Sequence, residues 1–300
     1  MSSADVAVRV FRKLENEDFQ ALHGIEAAMS KREFVPKEQI AKYVKLPMDR
    51  VDFTISKLDK LGLIYSMRGA YVGFTLNFAG YDCLAINAFV KAGVIDAFGQ
   101  MLGVGKEADV YDALTQGGVR VAVKFQRLGR VSFRQTRRKR GYAVERAGWL
   151  FQSRLAAERE FRALKLVYAQ GVAVPEPLSQ NRHAIVMGMI EGAELARWRE
   201  LPSAEKVLRE ILRNVRKAYV KAHVIHADLS EYNIIVKPDM DVLVIDWPQY
   251  VAAGHPNAGE LLMRDVKNVL AYFSRRYGLK VEDREVYAYV TGKCRALVFG

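Results

Sequence analysis

The stretch His226-Ala-Asp-Leu-Ser-Glu-Tyr-Asn233 decides the fold of this chain of 300 residues. Apolar residues follow it on both sides of Lys237-Pro-Asp239. Two short apolar runs separated by such a turn predict a β-hairpin. The first strand of this hairpin leaves from Asn233, and the second ends at Asp246.

Three side chains then stand in the order that kinase-type phosphoryl transfer uses: an acid that orients the acceptor, an amide and a second acid. We therefore predict that Asp228 is the catalytic base. Asn233 and Asp246 are the predicted magnesium ligands, and Asp246 is also counted as catalytic. We interpret His226 as an orienting residue, because Asp228 lies within the expected reach of an acceptor.

A second motif lies upstream, at Gly103-Val-Gly-Lys-Glu-Ala-Asp-Val-Tyr111. Its glycines predict a turn whose backbone approaches phosphates closely. The turn is not a Walker A loop, since no Gly-Lys-Ser/Thr closes it, and Ala108 replaces the third glycine of G-x-G-x-x-G. The predicted nucleotide-binding residues of the turn are Gly103, Val104, Gly105, Lys106, Glu107, Ala108 and Val110.

The third motif is Val121-Ala-Val-Lys124, which follows a Gly117-Gly118 turn. It matches the strand pattern whose Lys neutralises the α- and β-phosphates. A lysine in a strand is more often an exposed charge, but the glycine turn before it and the acids after it favour the functional interpretation. Lys124 is therefore predicted to be both catalytic and nucleotide-binding.

Together the motifs resemble a RIO-type atypical serine/threonine kinase, of the second RIO subfamily found in archaea and eukaryotes. The segments that carry the resemblance are 103–111, Lys124-Phe-Gln-Arg-Leu-Gly-Arg-Val-Ser-Phe-Arg134, Arg182-His-Ala-Ile-Val-Met187, 226–233, Ile245-Asp-Trp-Pro-Gln249 and His255-Pro-Asn-Ala258. The chain departs from the family at Ala108, where Ser is common, and at Trp247, where Phe is common. Neither departure removes a charged catalytic group.

The resemblance implies an α+β protein. An N-terminal winged helix-turn-helix domain is expected to join a compact two-lobed protein-kinase-like domain that lacks an activation segment and peptide-docking helices. The expected divisions are a winged helix domain at 1–80, a linker helix at 81–94, an N-lobe at 95–190 and a C-lobe at 191–300. The expected cofactors are ATP and Mg²⁺, with Mn²⁺ as an alternative to Mg²⁺.

The same resemblance assigns further nucleotide-binding residues. Glu160, on a helix predicted at 151–169, is expected to pair with Lys124. Glu158 is the competing choice, on another face of that helix. An apolar strand at 184–190 leads into the hinge between the lobes, where Met187, Met189 and Ile190 would border adenine.

The N-terminal third shows its own periodicity. Apolar spacing predicts helices at 37–44 and 48–61, which Leu46-Pro47 separates, and strands at 63–65 and 70–75 form a wing. Helices are also predicted at 79–91 and 201–223. Acidic and basic residues alternate on the second helix of the module, so it is suited to packing on protein nearly as well as to binding nucleic acid.

A formal net charge of +12 and an isoelectric point near 9.6 predict an anionic partner. The basic residues between Gln126 and Arg140 are Arg127, Arg130, Arg134, Arg137, Arg138, Lys139 and Arg140, with no acid among them. A solvated surface loop is one interpretation. The other is a segment that phosphate backbone neutralises.

The expected partners follow from the resemblance and the charge. They are the maturing small ribosomal subunit with its ribosomal RNA, and ribosome assembly factors. We expect a monomer away from the particle and no membrane association. A cytoplasmic location is expected because Cys83 and Cys294 lack metal-ligand spacing and no apolar run is long enough to span a bilayer.

The residues after Asp246 restrict the choice of phosphoryl acceptor. They form a short stretch that contains no Ala-Pro-Glu, and Ser230 replaces the usual Lys after the catalytic Asp. These features predict a restricted phosphotransferase or a switch ATPase that phosphorylates itself. Two alternatives stay open, a small-molecule phosphotransferase of the aminoglycoside or choline kinase type and a transcription regulator with a vestigial kinase half.

Overall fold

The structure, a computed structural model, describes residues 2–69, 71–105, 107–129 and 142–297. The side chains of 142–147 are outside this description. Lys106 and the predicted basic segment from Arg130 onward therefore lie outside the described residues.

The chain forms two compact units. The first comprises Met1–Glu158 and Ser179–Val186, and the second comprises Arg159–Leu178 and Met187–Gly300. The N-terminal module thus belongs to the same unit as the glycine turn. The predicted division into four segments remains a prediction.

The described residues of the N-terminal module form five α-helices, one 3-10 turn at Phe11–Lys13 and three short strands. Its elements are α1 Ser3–Val10, α2 Asn16–Met29, β1 Val35–Pro36, α3 Lys37–Val44, α4 Met48–Lys60, β2 Ile64–Arg68, β3 Val72–Leu76 and α5 Phe78–Lys91. The strands form an antiparallel sheet in the order β1-β3-β2. Helices α3 and α4 with the β2–β3 wing are the predicted winged helix-turn-helix unit.

Local sequence explains the boundaries of this unit. Lys45 leaves α3 in the left-handed region at φ 55°, and Pro47 precedes the first turn of α4. Gly62, at φ 71°, ends α4 where a side chain would be strained. The wing strands begin one and two residues later than predicted, because the register Ile64↔Leu76 to Arg68↔Val72 sets the hairpin.

Helices α1 and α2 are not predicted by the sequence patterns. A capping box begins α1, in which the Ser2 hydroxyl accepts from the Asp5 N–H at 3.2 Å and Asp5 accepts from the Ser2 N–H at 2.7 Å. The helix predicted as a linker, α5, is buried along most of its length and packs against α1. It is a core element of the first unit.

A five-stranded sheet comes next, and its first three strands along the chain belong to the same unit as this module. Its strands are β4 Ala97–Val104, β5 Ala108–Leu114, β6 Arg120–Gln126, β7 Pro177–Asn181 and β8 Ala184–Gly188, in the order β4-β5-β6-β8-β7. Helix α6, Tyr142–Ala169, begins nine residues earlier than predicted. Strand β8 ends at Gly188, two residues before the predicted end.

The second unit is mostly helical around small sheets. Its elements are the C-terminal part of α6, β9 Ala193–Glu194, α7 Ala204–Val220, β10 Val224–Ile225, β11 Ile234–Val236, β12 Val242–Val244, β13 Val251–Ala252, α8 Ala258–Tyr277 and α9 Asp283–Val290. The small sheets are β12-β11-β9 and β10-β13. The predicted catalytic loop connects β10 of one sheet to β11 of the other. Helix α7 is shorter at both ends than the predicted 201–223.

Past Asp246 the described ranges contain a short strand, β13, and two helices, α8 and α9. No helix within the described ranges is long and apolar enough to cross a bilayer.

His183, which precedes β8, is a buried titratable group in the core of the first unit. Its Nε2 lies 2.6 Å from Oδ1 of Asp82 on α5, and its ring stacks on Tyr81. Burial lowers the pKa of His183, although the hydrogen bond to Asp82 opposes this shift. The folded protein therefore holds the neutral ring, which donates from Nε2 to the carboxylate.

This predicts a pH-dependent stability. The unfolded chain binds a proton at His183 below about pH 6.5, whereas the folded chain does not. The free energy of unfolding should therefore fall as the pH drops from about 7.5 to about 5.5, by up to about 1.4 kcal/mol per pH unit from this residue. Urea unfolding at both pH values measures the change. His183→Gln, which cannot titrate, should show a shallower dependence, and an equal slope in both proteins would contradict the assignment.

Candidate active site

The glycine turn joins β4 to β5. The Gly105 N–H donates to the Ala108 carbonyl at 2.8 Å, and Val104 pairs with Asp109. A Cβ added at Gly105 would lie 3.3 Å from that carbonyl, whereas one added at Gly103 would meet no atom within 4 Å. The hydrogen bond that closes the turn therefore explains why a glycine stands at position 105. Gly103 keeps the outer face of the turn open.

Lys124 lies on β6, opposite Val110 of β5. Its side chain is only 8% exposed, and its neighbours Val123 and Phe125 are fully buried. A cation held this far from water is costly unless it is compensated by other charges or by hydrogen bonds. Its burial contradicts the interpretation of Lys124 as an exposed strand lysine.

Arg127 corrects one part of the sequence interpretation. The residue pattern counts it with the basic segment, but its guanidinium is 2% exposed and forms ion pairs with Asp82 and Asp109. Arg127 therefore does not face solvent or RNA. The other basic residues of that segment are Arg130, Arg134, Arg137, Arg138, Lys139 and Arg140, all outside the described residues.

In the second unit, β10 leads directly into the predicted catalytic loop. His226 is buried, its Nε2 donates to the Ile245 carbonyl at 2.9 Å, and its ring lies 4.6 Å from that of Trp247. Burial lowers the pKa of His226, which favours the neutral ring. His226 therefore connects the loop to the residue before Asp246, consistent with an orienting role.

Asp265 on α8 anchors the loop, and the sequence analysis missed it. Its two carboxylate oxygens accept from the backbone N–H groups of Ala227 at 2.7 Å and Leu229 at 3.0 Å, on either side of Asp228. The neighbouring Arg264 donates to the Ala227 carbonyl. Burial raises the pKa of Asp265, against the lowering effect of these hydrogen bonds.

One signal in the sequence marks Asp265. It stands among the buried apolar positions Leu262, Val266 and Val269 of α8, where an acid is costly unless it is hydrogen-bonded. The carboxylate leaves the exposed Asp228 on a backbone that is held on both sides.

Asn233 and Asp246 are joined through the β11–β12 hairpin, as predicted. The Ile245 N–H donates to the Asn233 carbonyl at 2.9 Å, and Ile234 pairs with Val244. The Asn233 side-chain amide donates to the Asp228 carbonyl at 2.8 Å. These bonds place the base, the amide and the second acid on one connected backbone network.

The backbone is strained at both ends of this network. Ala227 has φ 64° and Asp246 has φ 68°, values that residues other than glycine adopt rarely. Trp247, which follows Asp246, is buried and donates from Nε1 to the Val244 carbonyl at 3.1 Å. The indole therefore helps to hold the turn in which Asp246 lies, which a phenylalanine could not do by hydrogen bonding.

The side-chain oxygens of Asn233 and Asp246 are of a kind that fits a magnesium ion. Because Nδ2 of Asn233 is used toward Asp228, its Oδ1 is the atom directed away from that bond. An amide oxygen and a carboxylate oxygen are hard ligands of the kind that Mg²⁺ prefers. Within the described part of the chain there is no group of three or more His, Cys, Asp or Glu that could hold a metal.

The remaining predicted residues lie on α6, near the end of β8 and just after it. Glu160 is 2% exposed, whereas Glu158 is partly exposed and accepts from Arg154 at 2.8 Å. This difference favours Glu160 as the functional acid. Lys124 belongs to the first unit and Glu160 to the second, so their pairing stays a prediction.

The segment predicted to border adenine is also in the second unit. Met187 is buried, and Met189 and Ile190 are half-buried and follow the end of β8. The Gly188 N–H donates to the Glu176 carbonyl at 2.8 Å, which fixes the point where the strand ends. Contact of these side chains with adenine stays a prediction.

Comparison with known proteins bears on this arrangement. A family model described as "RIO domain" matches residues 109–286, and one described as "Rio2, N-terminal" matches residues 11–92. The RIO-type serine/threonine-protein kinase Rio2 of Methanocaldococcus jannaschii is 42% identical over 265 residues, which cover 86% of this chain and 96% of the relative. This chain belongs to the Rio2 family of RIO kinases.

Further relatives agree with the family assignment. The serine/threonine-protein kinase rio2 of Schizosaccharomyces pombe is 36% identical over 91% of this chain and 80% of the relative. The crystal structure of Rio2 kinase from Chaetomium thermophilum, an ADP/Mg²⁺-phosphoaspartate complex, matches with a TM-score of 0.83 at 29% identity and covers 97% of this chain and 90% of that one. The predicted family, the predicted fold class and the assignment as a serine/threonine kinase are confirmed.

Asp265→Asn should damage both stability and turnover. The amide keeps one acceptor oxygen and turns its NH₂ toward a backbone N–H that then lacks a partner. We expect a loss of about 1–3 kcal/mol in the free energy of unfolding and about a tenfold to a hundredfold loss of turnover because Asp228 is less well positioned. Urea unfolding and ATP turnover measure the two effects.

Asp241→Asn is the matched control, because Asp241 is exposed in the β11–β12 turn. It should change the free energy of unfolding by no more than about 0.5 kcal/mol. Equal effects of the two substitutions would show that Asp265 does not anchor the loop.

Proposed function

We propose that this chain is an ATP- and Mg²⁺-dependent kinase and ATPase that transfers the γ-phosphoryl group to water or to the protein itself. The observation that carries the proposal is the network around Asp228, in which Asp265 and Asn233 hold the backbone on both sides of the base. The Chaetomium relative supports it, since that protein was solved with ADP, Mg²⁺ and phosphoaspartate.

Each predicted residue then has a separate role. Gly103 and Gly105 let the backbone of the turn come close to the triphosphate, and the buried ammonium of Lys124 offsets its negative charge. Asn233 and Asp246 would hold Mg²⁺. The ion, when bound, supplies positive charge at the β- and γ-phosphates.

Asp228 is exposed at the surface of its unit and so can meet an acceptor. With water as acceptor, the carboxylate of Asp228 receives a proton as the oxygen attacks the γ-phosphorus, while the bond to the oxygen of ADP breaks. With a serine or threonine hydroxyl of the protein, the same carboxylate orients the hydroxyl. Asp246 is a further candidate acceptor, because the Chaetomium protein contains a phosphoaspartate.

We further propose that the chain acts on maturing small ribosomal subunits as a monomer that binds and leaves them, together with assembly factors. A net charge of +12 supports an RNA-containing partner. The decisive test is co-sedimentation of the tagged protein with precursor subunits and its release when ATP is supplied. Retention with ATP would argue against a switch ATPase.

Two substitutions should separate nucleotide binding from chemistry. Lys124→Ala should weaken ATP affinity, because a charge in a partly dry site is worth roughly a few kcal/mol. Asp228→Asn should leave affinity nearly unchanged and slow hydrolysis by about a hundredfold or more. Isothermal titration and γ-labelled ATP measure the two quantities.

The labelled assay also distinguishes the acceptors. Release of free phosphate and labelling of the protein itself are the expected products. Vigorous transfer to many added peptides with negligible free phosphate would refute the restricted-acceptor proposal. An Asp246→Asn variant should weaken metal-dependent binding, which distinguishes the metal ligand from the base.

The basic segment beyond Gly129 should contribute to binding of the particle. If its arginines meet RNA phosphates, affinity falls with salt by a log-log slope of about 0.7 to 0.9 per contact. Changing Arg134, Arg137, Arg138 and Arg140 to Gln should flatten that slope. Arg127→Gln is not part of this set, because Arg127 is buried. An unchanged slope would mean that the segment is only a solvated surface.

A further inference from the structure

Arg127 directly follows β6, three residues after Lys124, and is one of the largest fully buried side chains among the described residues. Its Nε donates to Oδ2 of Asp109 at 3.1 Å, and its Nη2 donates to Oδ2 of Asp82 at 2.8 Å. Both carboxylates are completely buried. One guanidinium therefore bridges β5, which begins in the glycine turn, and α5, which belongs to the N-terminal module.

The surroundings hold this guanidinium in one orientation. It lies over the rings of Phe78 at 5.1 Å and Phe125 at 5.2 Å, and its Nη1 donates to the Gln126 carbonyl at 3.3 Å. All three nitrogens thus have acceptors, and two aromatic rings lie against the guanidinium. A planar guanidinium with acceptors at all three nitrogens is held in one orientation more firmly than a lysine ammonium would be.

The backbone of the same residue reaches the glycine turn. The Arg127 N–H donates to the Glu107 carbonyl at 2.6 Å, while its side chain holds Asp109. Both residues flank Ala108, where β5 begins. Arg127 consequently fixes the strand side of the turn at two points, one through its backbone and one through its side chain.

The other end of the bridge leads into the winged unit. Asn77 begins α5, accepts from the Gly80 N–H at 3.0 Å and donates to the carbonyl of Gly62, which ends α4, at 2.8 Å. A Cβ added at Gly80 would collide with the Leu63 carbonyl, so α5 and the end of α4 are in close contact. Short contacts therefore run from the end of α4 to α5, where the Asn77–Gly62 bond is exposed, and from Asp82 of α5 to the turn, where the bonds are buried.

We propose that Arg127 is a positioning residue that holds the glycine turn in register with the winged module, so that the position of α5 sets nucleotide affinity. The proposal rests on the proposed function, because it assumes that the turn binds ATP. It assigns a role in the enzyme to a residue that the sequence placed in the basic segment. A ligand on the winged unit that moves α5 would change ATP affinity through this bridge.

Two substitutions loosen the bridge from opposite sides. Asp82→Asn keeps the size of the side chain, but it leaves one oxygen instead of two to accept hydrogen bonds from Arg127 and His183. Arg127→Lys keeps the buried charge, but a single ammonium cannot reproduce the forked bonds to Asp82 and Asp109. The control is Phe89→Leu, a buried substitution on the same helix that is expected to lower stability without altering the network.

The first measurement needs no nucleotide. Hydrogen exchange of the backbone amides between Gly103 and Val110 should be faster by about tenfold in Asp82→Asn and Arg127→Lys. It should be unchanged in Phe89→Leu, although all three variants melt at lower temperature than the wild-type protein. Faster exchange in the control as well would mean that general destabilisation is the cause, and it would overturn the proposal.

The second measurement is nucleotide affinity and turnover. We expect ATP·Mg²⁺ to bind about fivefold more weakly to both network variants, with turnover at saturating ATP within about twofold of wild type. Wild-type affinity in both variants would reduce the network to a structural role. If wild-type protein binds no ATP while the exchange result holds, the proposed function fails and the mechanical link stands. Should Asp82→Asn not fold, Arg127→Lys carries the same comparison.

Discussion

The carboxylate of Asp265 sits where α8 passes behind the loop that begins at His226. It accepts two backbone N–H groups, one on each side of Asp228. A buried acid needs such partners, and a loop of irregular backbone needs acceptors for its N–H groups. The two requirements satisfy each other here, so the placement of the proposed base depends on a residue of a distant helix.

Other parts of the second unit follow from this anchor. The loop returns through Asn233 into the β11–β12 hairpin, which delivers Asp246 beside the residue that His226 contacts. Left-handed backbone at Ala227 and Asp246 is tolerated because hydrogen bonds on both sides hold it. Left-handed backbone thus marks both ends of the network that carries the predicted functional side chains, and it occurs also at His223 and Met240 of the same unit.

The winged unit uses much of its positive charge internally. Arg50 and Lys57 of α4 pair with Glu17 and Asp18 at 2.6 Å each, and Lys37 pairs with Asp52 at 2.9 Å. Because these carboxylates offset positive charge on the module, α4 attracts nucleic acid less strongly than its basic residues alone would suggest. Phe53, 63% exposed on the same helix, is the kind of side chain that protein contacts bury. The proposed contact with RNA is therefore expected from the basic residues beyond Gly129 rather than from α4.

Motifs whose chemistry is local could be predicted from the order of residues alone. Spacing from Asp228 to Asn233, the hairpin before Asp246 and the turn at Gly105 depend on neighbouring residues, so they were predicted with nearly the observed bounds. The helices α3 and α4 were predictable for the same reason, since their apolar period and Gly62 are visible in the chain.

Tertiary structure alone decided which charges are buried and whom they meet. Arg127 looked like part of a basic segment, because its partner Asp82 is far away in sequence and only the packing of α5 brings it close. Asp265 looked like an ordinary helical acid until α8 placed it behind the loop. Pairing of buried charges depends on contacts between distant segments, and a linear pattern of residue types does not specify those contacts.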